Sequence, residues 1–290
     1  MTEQTTDQTT AVAQLPQPMW MAGCGNMGGA IVEGWRTAGF DLGGLTIIRP
    51  SGTEVEGVRT VSSPQDAGQA PNVLVLAMKP GQLDQAAEEL RPRLSAKTVL
   101  VSILAGVELG SLRQRFPGVK TVVRAMPNVG VAMRRGVIAL VGESDDETAK
   151  REAAQVFQPV GFAPWMVDEK RFSAVGEVAG AGPAYVARFI AALAKAGEKQ
   201  GLSPEMAATV ALETVFGTAW LAASTGDDMD AIARRVASPG GTTEAGLAVL
   251  DRNGVFEELV ALAIGAAARR ETALARAARD PSLAETPTVN

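Results

Sequence analysis

The chain has 290 residues, 46% hydrophobic and 20% charged, with a net charge of −5 and no histidine. That balance describes a globular protein long enough for two cores, and it argues against a binder of nucleic-acid phosphates or anionic membrane surfaces. Without histidine there is no Ser-His-Asp triad, no histidine general acid and no ordinary zinc site, so no metal is expected. The single cysteine, Cys24, excludes an internal disulfide and a cysteine cluster, which makes the cytoplasm the expected compartment. No apolar run reads as long enough to span a bilayer, so no membrane partner is expected.

Residues 1–18 are polar, lack the basic-then-apolar pattern of a secretory leader, and are expected to form a disordered tail. An apolar strand then spans Met19–Ala22 and runs into Gly23-Cys24-Gly25-Asn26-Met27-Gly28, a G-x-G-x-x-G loop that opens a helix over Gly29–Ala38. Such glycines give a tight turn, a close backbone approach to a pyrophosphate and close helix–strand packing; the helix N-terminus supplies free N–H groups. A second strand, Leu45–Ile48, ends at Arg49-Pro50-Ser51 with no acid for a ribose hydroxyl. Arg49 and Ser51 there favour NADPH over NADH, because a guanidinium and a hydroxyl can hold a 2′-phosphate. The plainer alternative for Arg49 is a solvated loop arginine.

Further strands are expected at Val73–Ala77, Thr98–Ser102, Thr121–Arg124, Val137–Val141 and Phe162–Val167, with helices at Gly81–Leu94, Leu109–Phe116 and Ser144–Phe157. Strand-helix alternation with continuously apolar strands predicts a Rossmann-type, doubly wound parallel sheet over residues 19–167. Two strand ends, Ala77-Met78-Lys79-Pro80 and Ile103-Leu104-Ala105-Gly106, would then face the nicotinamide half of the crevice. From 168 to 279 alanine dominates, and helices are predicted at Tyr185–Gln200, Ser203–Thr225, Asp230–Val236, Thr242–Arg252 and Phe256–Arg279. They are apolar around most of their circumference, as helices buried on several sides are, so this second domain is read as a homodimerisation domain. Residues 280–290 are expected to form a second tail.

Ser238-Pro239-Gly240-Gly241-Thr242-Thr243 stands just before one of these helices. The doubled glycine and two hydroxyls suggest a cradle for a small carboxylate, with an ordinary N-cap by Thr242 as the alternative. Gly180-Ala181-Gly182-Pro183-Ala184-Tyr185 opens the first long helix of the same domain.

G-C-G-N-M-G-G-A-I, L-A-M-K-P, S-I-L-A-G-V, R-A-M-P-N (Arg124–Asn128), G-A-G-P-A-Y and V-A-S-P-G-G-T-T occur together, in this order. Their sequence is similar to that of the pyrroline-5-carboxylate reductases, over about Met19 to Ala275. The resemblance implies reduction of L-1-pyrroline-5-carboxylate to L-proline with NADPH or NADH, and dimers that in the family often assemble into rings of five. It implies that Ala22–Met27 hold the pyrophosphate and Arg49 with Ser51 the adenosine end. Ala77, Met78, Lys79, Ile103 and Ala105 would line the nicotinamide side, and Arg235 would face a cofactor phosphate. Glu169, Gly240, Gly241, Thr242 and Thr243 would contact the substrate, with the Gly240–Thr243 amides on its carboxylate and the Thr243 hydroxyl on its ring nitrogen as the catalytic contact. Ala179 and Ala181 stand where the family usually has serines, Gly176 where it has threonine, and Pro64 where it has asparagine. A related cyclic-imine reductase and a non-catalytic NADP-binding dimer are the alternatives.

Overall fold

The computed structural model describes residues 14–143 and 146–279. The expected tails at 1–13 and 280–290, and the first two residues of the helix expected at Ser144–Phe157, lie outside the described residues. The chain forms two compact units, Ala181–Ala267 and the remainder.

The first unit is built on one sheet. Its strands are β1 (Met19–Ala22), β2 (Leu45–Ile48), β3 (Arg59–Val61), β4 (Val73–Leu76), β5 (Val99–Ser102), β6 (Thr121–Pro127), β7 (Gly136–Gly142) and β8 (Gly161–Phe162), in the order β3-β2-β1-β4-β5-β6-β7-β8. Pairing is parallel from β3 through β6, with Met21 opposite both Ile47 and Val75. The chain then turns back, and β7 runs antiparallel to β6 with Ala125 opposite Leu140, so the sheet is not wholly parallel as expected. The reversal is local: a single 3-10 turn at Val129–Met133, closed by Arg134 in the left-handed region, replaces a crossover helix.

Helices cover both faces, which is why the central strands are apolar on both sides. On one face α1 (Asn26–Thr37) and α4 (Glu147–Phe157) pack through Ile31, Trp35, Val156 and Phe157; the Trp35 indole N–H donates to the Val156 carbonyl at 2.7 Å. On the other lie α2 (Leu83–Leu90), α3 (Leu109–Arg115) and α5 (Glu169–Ala179), anchored by Leu83, Leu90, Leu112 and Phe172. Helix α5 was not expected. It packs on β6 and β7, so the boundary expected after residue 167 falls ahead of an element whose Phe172 belongs to the core of the sheet.

Two further expectations change. Residues 14–18 are not loose: Leu15 is buried in the core and Gln14 bridges Asp41. The strand expected at Phe162–Val167 shrinks to Gly161–Phe162, because Pro164 has no N–H to donate; only its carbonyl joins in, accepting from Leu140 N–H at 3.0 Å.

The second unit contains α6 (Gly182–Lys199), α7 (Pro204–Thr225), α8 (Met229–Val236), α9 (Thr242–Leu250) and the start of α10 (Val255–Arg279). Helices α6 and α7 meet through Ala194, Ala207 and Ala211, and little else is buried. Phe216, Trp220, Leu259 and Leu262 are each about 60% exposed. The expectation that no apolar run reaches a bilayer-spanning length fails at α7: it has 22 residues and contains an 18-residue stretch with a mean hydropathy of 1.4, long and apolar enough by length and composition alone. Glu205 and Glu213, which break the run in the sequence, do not break the helix.

Candidate active site

At the carboxyl ends of the strands the backbone continues the ladder past the sheet. Gly23 N–H donates to Ile48 O at 2.8 Å, Ala77 N–H to Ala22 O at 2.7 Å and Ile103 N–H to Leu76 O at 3.1 Å. These bonds hold four strand tips side by side around a cavity of about 650 Å³, within the size range of cofactor sites. Its wall includes Ala22, Gly23, Cys24, Gly25, Asn26, Met27, Gly28, Arg49, Ser51, Ala77, Met78, Lys79 and Ile103. Ala105 is exposed in the turn beyond Ile103 and is not on that wall. The wall also includes Pro64, which stands where the family has asparagine; Gln85, Ala86, Glu89 and Leu90 from α2 are on it too, and these four motif reasoning missed. Their i, i+1, i+4, i+5 spacing is the one signal in the sequence that could have marked them as a single helix face.

The residues present fit a dinucleotide. Gly23 has φ +82°, and a Cβ there would stand 2.7 Å from the Met78 backbone. Gly28 packs its Cα side against Ala77 and Met21, where an added Cβ would be in contact at 3.4 Å. Gly25 begins α1 with open space around it and no side-chain cap, so the first N–H groups of the helix are left for an external acceptor. At the end of β2 a turn closed by Gly52 N–H to Arg49 O holds Arg49 and Ser51 on the cavity wall; Arg49 donates to Thr53 O at 3.2 Å and the Ser51 and Thr53 hydroxyls lie 2.9 Å apart. Burial pushes the Cys24 thiol above its ordinary value, and the neighbouring Arg49 charge pulls it the other way. The thiol is therefore protonated at neutral pH and acts as lining rather than as a nucleophile.

The second unit holds the other glycine turn. Gly241 N–H donates to Ser238 O at 2.9 Å, closing a β-turn with Pro239 second and Gly240 third at φ +70°, the geometry a type II turn requires. Gly241 suits a residue without a side chain, since a Cβ would stand 2.9 Å from the backbone carbonyl oxygen of Ser238. Helix α9 starts from Gly241 with no side-chain cap, so Thr242 is not the N-cap. The expected set of amides changes here. Gly240 N–H donates to Glu244 Oε2 at 2.8 Å and Gly241 N–H is used in the turn, so neither faces a ligand. Among the described residues the free donors are the N–H groups of Thr242, Thr243 and Glu244, which precede the first helical bond, Ala245 N–H to Gly241 O. The two threonine hydroxyls have no hydrogen-bond partner among the described residues. Arg235, at the end of α8, is paired with Asp227 at 3.0 Å in the same unit.

Glu169 is placed away from the cavity wall. Its Oε1 accepts from Arg124 Nη1 at 2.6 Å and from Leu109 N–H, the first amide of α3, at 3.1 Å. Arg124 is only 4% exposed and lies 4.5 Å over the Phe172 ring, so the pair ties β6, α3 and α5 together. Asn128 likewise serves the backbone, donating to Ala179 O at 2.9 Å and accepting from Gly130 and Val137 N–H.

Comparison with known proteins matches two family models to the chain. Residues 169–274 match the family model for pyrroline-5-carboxylate reductase dimerisation, and 21–106 match the model for coenzyme F420-dependent NADP oxidoreductases. The pyrroline-5-carboxylate reductase of Pseudomonas aeruginosa is 35% identical over 260 residues, covering 87% of this chain and 95% of the relative. That of Pisum sativum is 34% identical over 261 residues, covering 87% and 94%. Among solved structures, the enzyme of Coxiella burnetii superposes with a TM-score of 0.81 at 29% identity, covering 93% of this chain and 99% of the other. The Plasmodium falciparum enzyme with NADP bound gives 0.78 at 26%, covering 91% and 99%. With its nucleotide cavity, its alanine-rich second unit and a likeness that runs through both, the chain belongs to the pyrroline-5-carboxylate reductase family.

Proposed function

We infer that this chain reduces L-1-pyrroline-5-carboxylate to L-proline with NAD(P)H. The observation that carries the reading is the wall of the nucleotide cavity, where the glycine loop and three further strand tips converge in a chain related to these reductases over nearly its whole length. Bound NAD(P)H supplies the hydride that reduces the carbon of the substrate's C=N bond.

The chain's own residues bind and orient. The N–H groups of Thr242, Thr243 and Glu244, with the Thr242 hydroxyl, receive the substrate carboxylate at the positive end of α9. The Thr243 hydroxyl hydrogen-bonds the ring nitrogen. A cyclic imine protonated on nitrogen is already electrophilic: as hydride adds to carbon, the π pair moves to nitrogen, which keeps its proton and becomes a secondary amine. No histidine is required, which suits a chain that has none. Orientation and exclusion of water account for the protein's part in the rate. Replacing Thr243 by alanine should lower kcat/KM more than tenfold, a loss above ~1.4 kcal/mol, with NADPH affinity unchanged. A smaller loss would remove Thr243 from the mechanism.

Arg49 and Ser51 make NADPH the preferred cofactor in this reading, since the turn after β2 offers a cation and a hydroxyl to a 2′-phosphate and no carboxylate to a ribose diol. The protein is a homo-oligomer. Its dimerisation segment carries the apolar side chains of α7 and α10 that a single copy leaves in water, and a second copy covers them. Assembly of dimers into a ring of five, and a cytoplasmic setting, complete the proposal.

A further inference from the structure

Glu244 is the third residue of α9, and its side chain turns back past the helix start to accept the Gly240 N–H at 2.8 Å. In a type II turn the N–H of the third residue points away from the turn and needs an outside acceptor. Glu244 is that acceptor. Its carboxylate fixes a glycine at φ +70° whose Cβ position faces open space, so no packing against that side holds it. No side chain caps the helix itself. The turn behind the free amides therefore rests on two bonds, Gly241 N–H to Ser238 O and Gly240 N–H to Glu244.

We propose that Glu244 is a positioning residue for the substrate carboxylate: it holds the Pro239–Gly240 turn so that the amides of Thr242 and Thr243 and the Thr242 hydroxyl converge on one anion, with the Thr243 hydroxyl left for the ring nitrogen. This rests on the reading of the α9 N-terminus as the carboxylate site. The same carboxylate also places a negative charge near an anionic ligand, so its hydrogen bond favours binding and its charge opposes it. The two effects separate in variants. An amide oxygen in Glu244→Gln can still accept from Gly240 without the charge, whereas Glu244→Ala removes both.

Steady-state kinetics with pyrroline-5-carboxylate and NADPH on Glu244→Ala, Glu244→Gln and Thr243→Ala test this, together with NADPH affinity and the thermal midpoint of each variant. Glu244→Ala should raise KM for the imino acid at least tenfold while kcat and NADPH affinity stay within twofold. Glu244→Gln should return KM to the wild-type value or below it. An unchanged KM in Glu244→Ala, or a Gln variant as impaired as the Ala variant, overturns the positioning role. If that happens while Thr243→Ala loses activity, the carboxylate site stands and only the role of Glu244 falls. If neither Thr243→Ala nor Glu244→Ala has any effect, the reading of the site falls as well.

Discussion

Two helices in this chain begin from glycine with no side-chain cap, α1 at Gly25 and α9 at Gly241, and they contrast with four that begin conventionally. Asp146, Asp168, Ser203 and Asp228 each cap their own helix through a side-chain oxygen. A self-capped helix has satisfied its first amides; an uncapped one leaves them for something else. The two glycine starts are also built differently. Gly23 is required by its close approach to the Met78 backbone, and Gly28 sits at contact distance from Ala77 and Met21, so the first loop is set in the wall of a rigid sheet. Gly240 has open space, and its turn depends on hydrogen bonds to Ser238 and Glu244. The lesson is that a loop made by packing is fixed before any ligand arrives, while a turn made by two hydrogen bonds can be adjusted by one side chain; in the proposed reading the first receives phosphate and the second carboxylate.

The largest effect that would break this contrast lies at Gly23. Gly23→Ala adds a Cβ at 2.7 Å from backbone that cannot retreat, at a φ that L residues avoid. NADPH affinity measured by calorimetry should fall more than tenfold, ~1.4 kcal/mol or more. Gly240→Ala carries only the conformational cost, about 1–2 kcal/mol, and should raise KM for the imino acid while leaving NADPH affinity alone. Equal effects of both variants on both ligands would dissolve the distinction between the two regions.

Next in size is Arg49. Arg49→Ala should raise KM for NADPH about tenfold, the loss of a charge-assisted contact of about 1.4 kcal/mol, and change KM for NADH less than twofold. Parallel losses for both cofactors would mean that Arg49 supports the adenine end and not the 2′-phosphate.

The smallest effect concerns a self-capped helix as the reference. The backbone N–H of Arg171, assisted by that residue's charge, holds the Asp168 carboxyl below its ordinary value. A carboxyl with a depressed folded-state value stabilises the fold at neutral pH, and that contribution disappears as pH falls below about 4. Thermal midpoints of Asp168→Asn between neutral and acid pH should therefore decline less steeply than those of the wild type. An identical slope would show that the carboxylate charge contributes nothing to this cap.

Much of the nucleotide half was legible in the sequence because its signals are local. Met19–Ala22 and Leu45–Ile48 are buried on both faces and appear as strands where the apolar runs stand, and the glycine loop follows directly. What escaped was set by neighbours. Strand β3 has only three residues, none of them buried, and exists because it pairs with β2. The reversal at β7 leaves no trace in periodicity, since both its faces are covered as they would be in a parallel strand. Helix α5 opens on Glu169-Lys170-Arg171 and contains Gly176, and only Phe172 shows which side packs. At α9 the sequence displayed the glycines and hydroxyls but not which amides were already taken; Glu244 decides that from four residues beyond Gly240.

The most direct measurement of the central claim is the loss of NADPH absorbance on adding pyrroline-5-carboxylate to the purified protein, with proline quantified in the same sample. The account predicts stoichiometric formation of proline per NADPH consumed, abolished when substrate is omitted. Tight NADPH binding without turnover of this imino acid would contradict it.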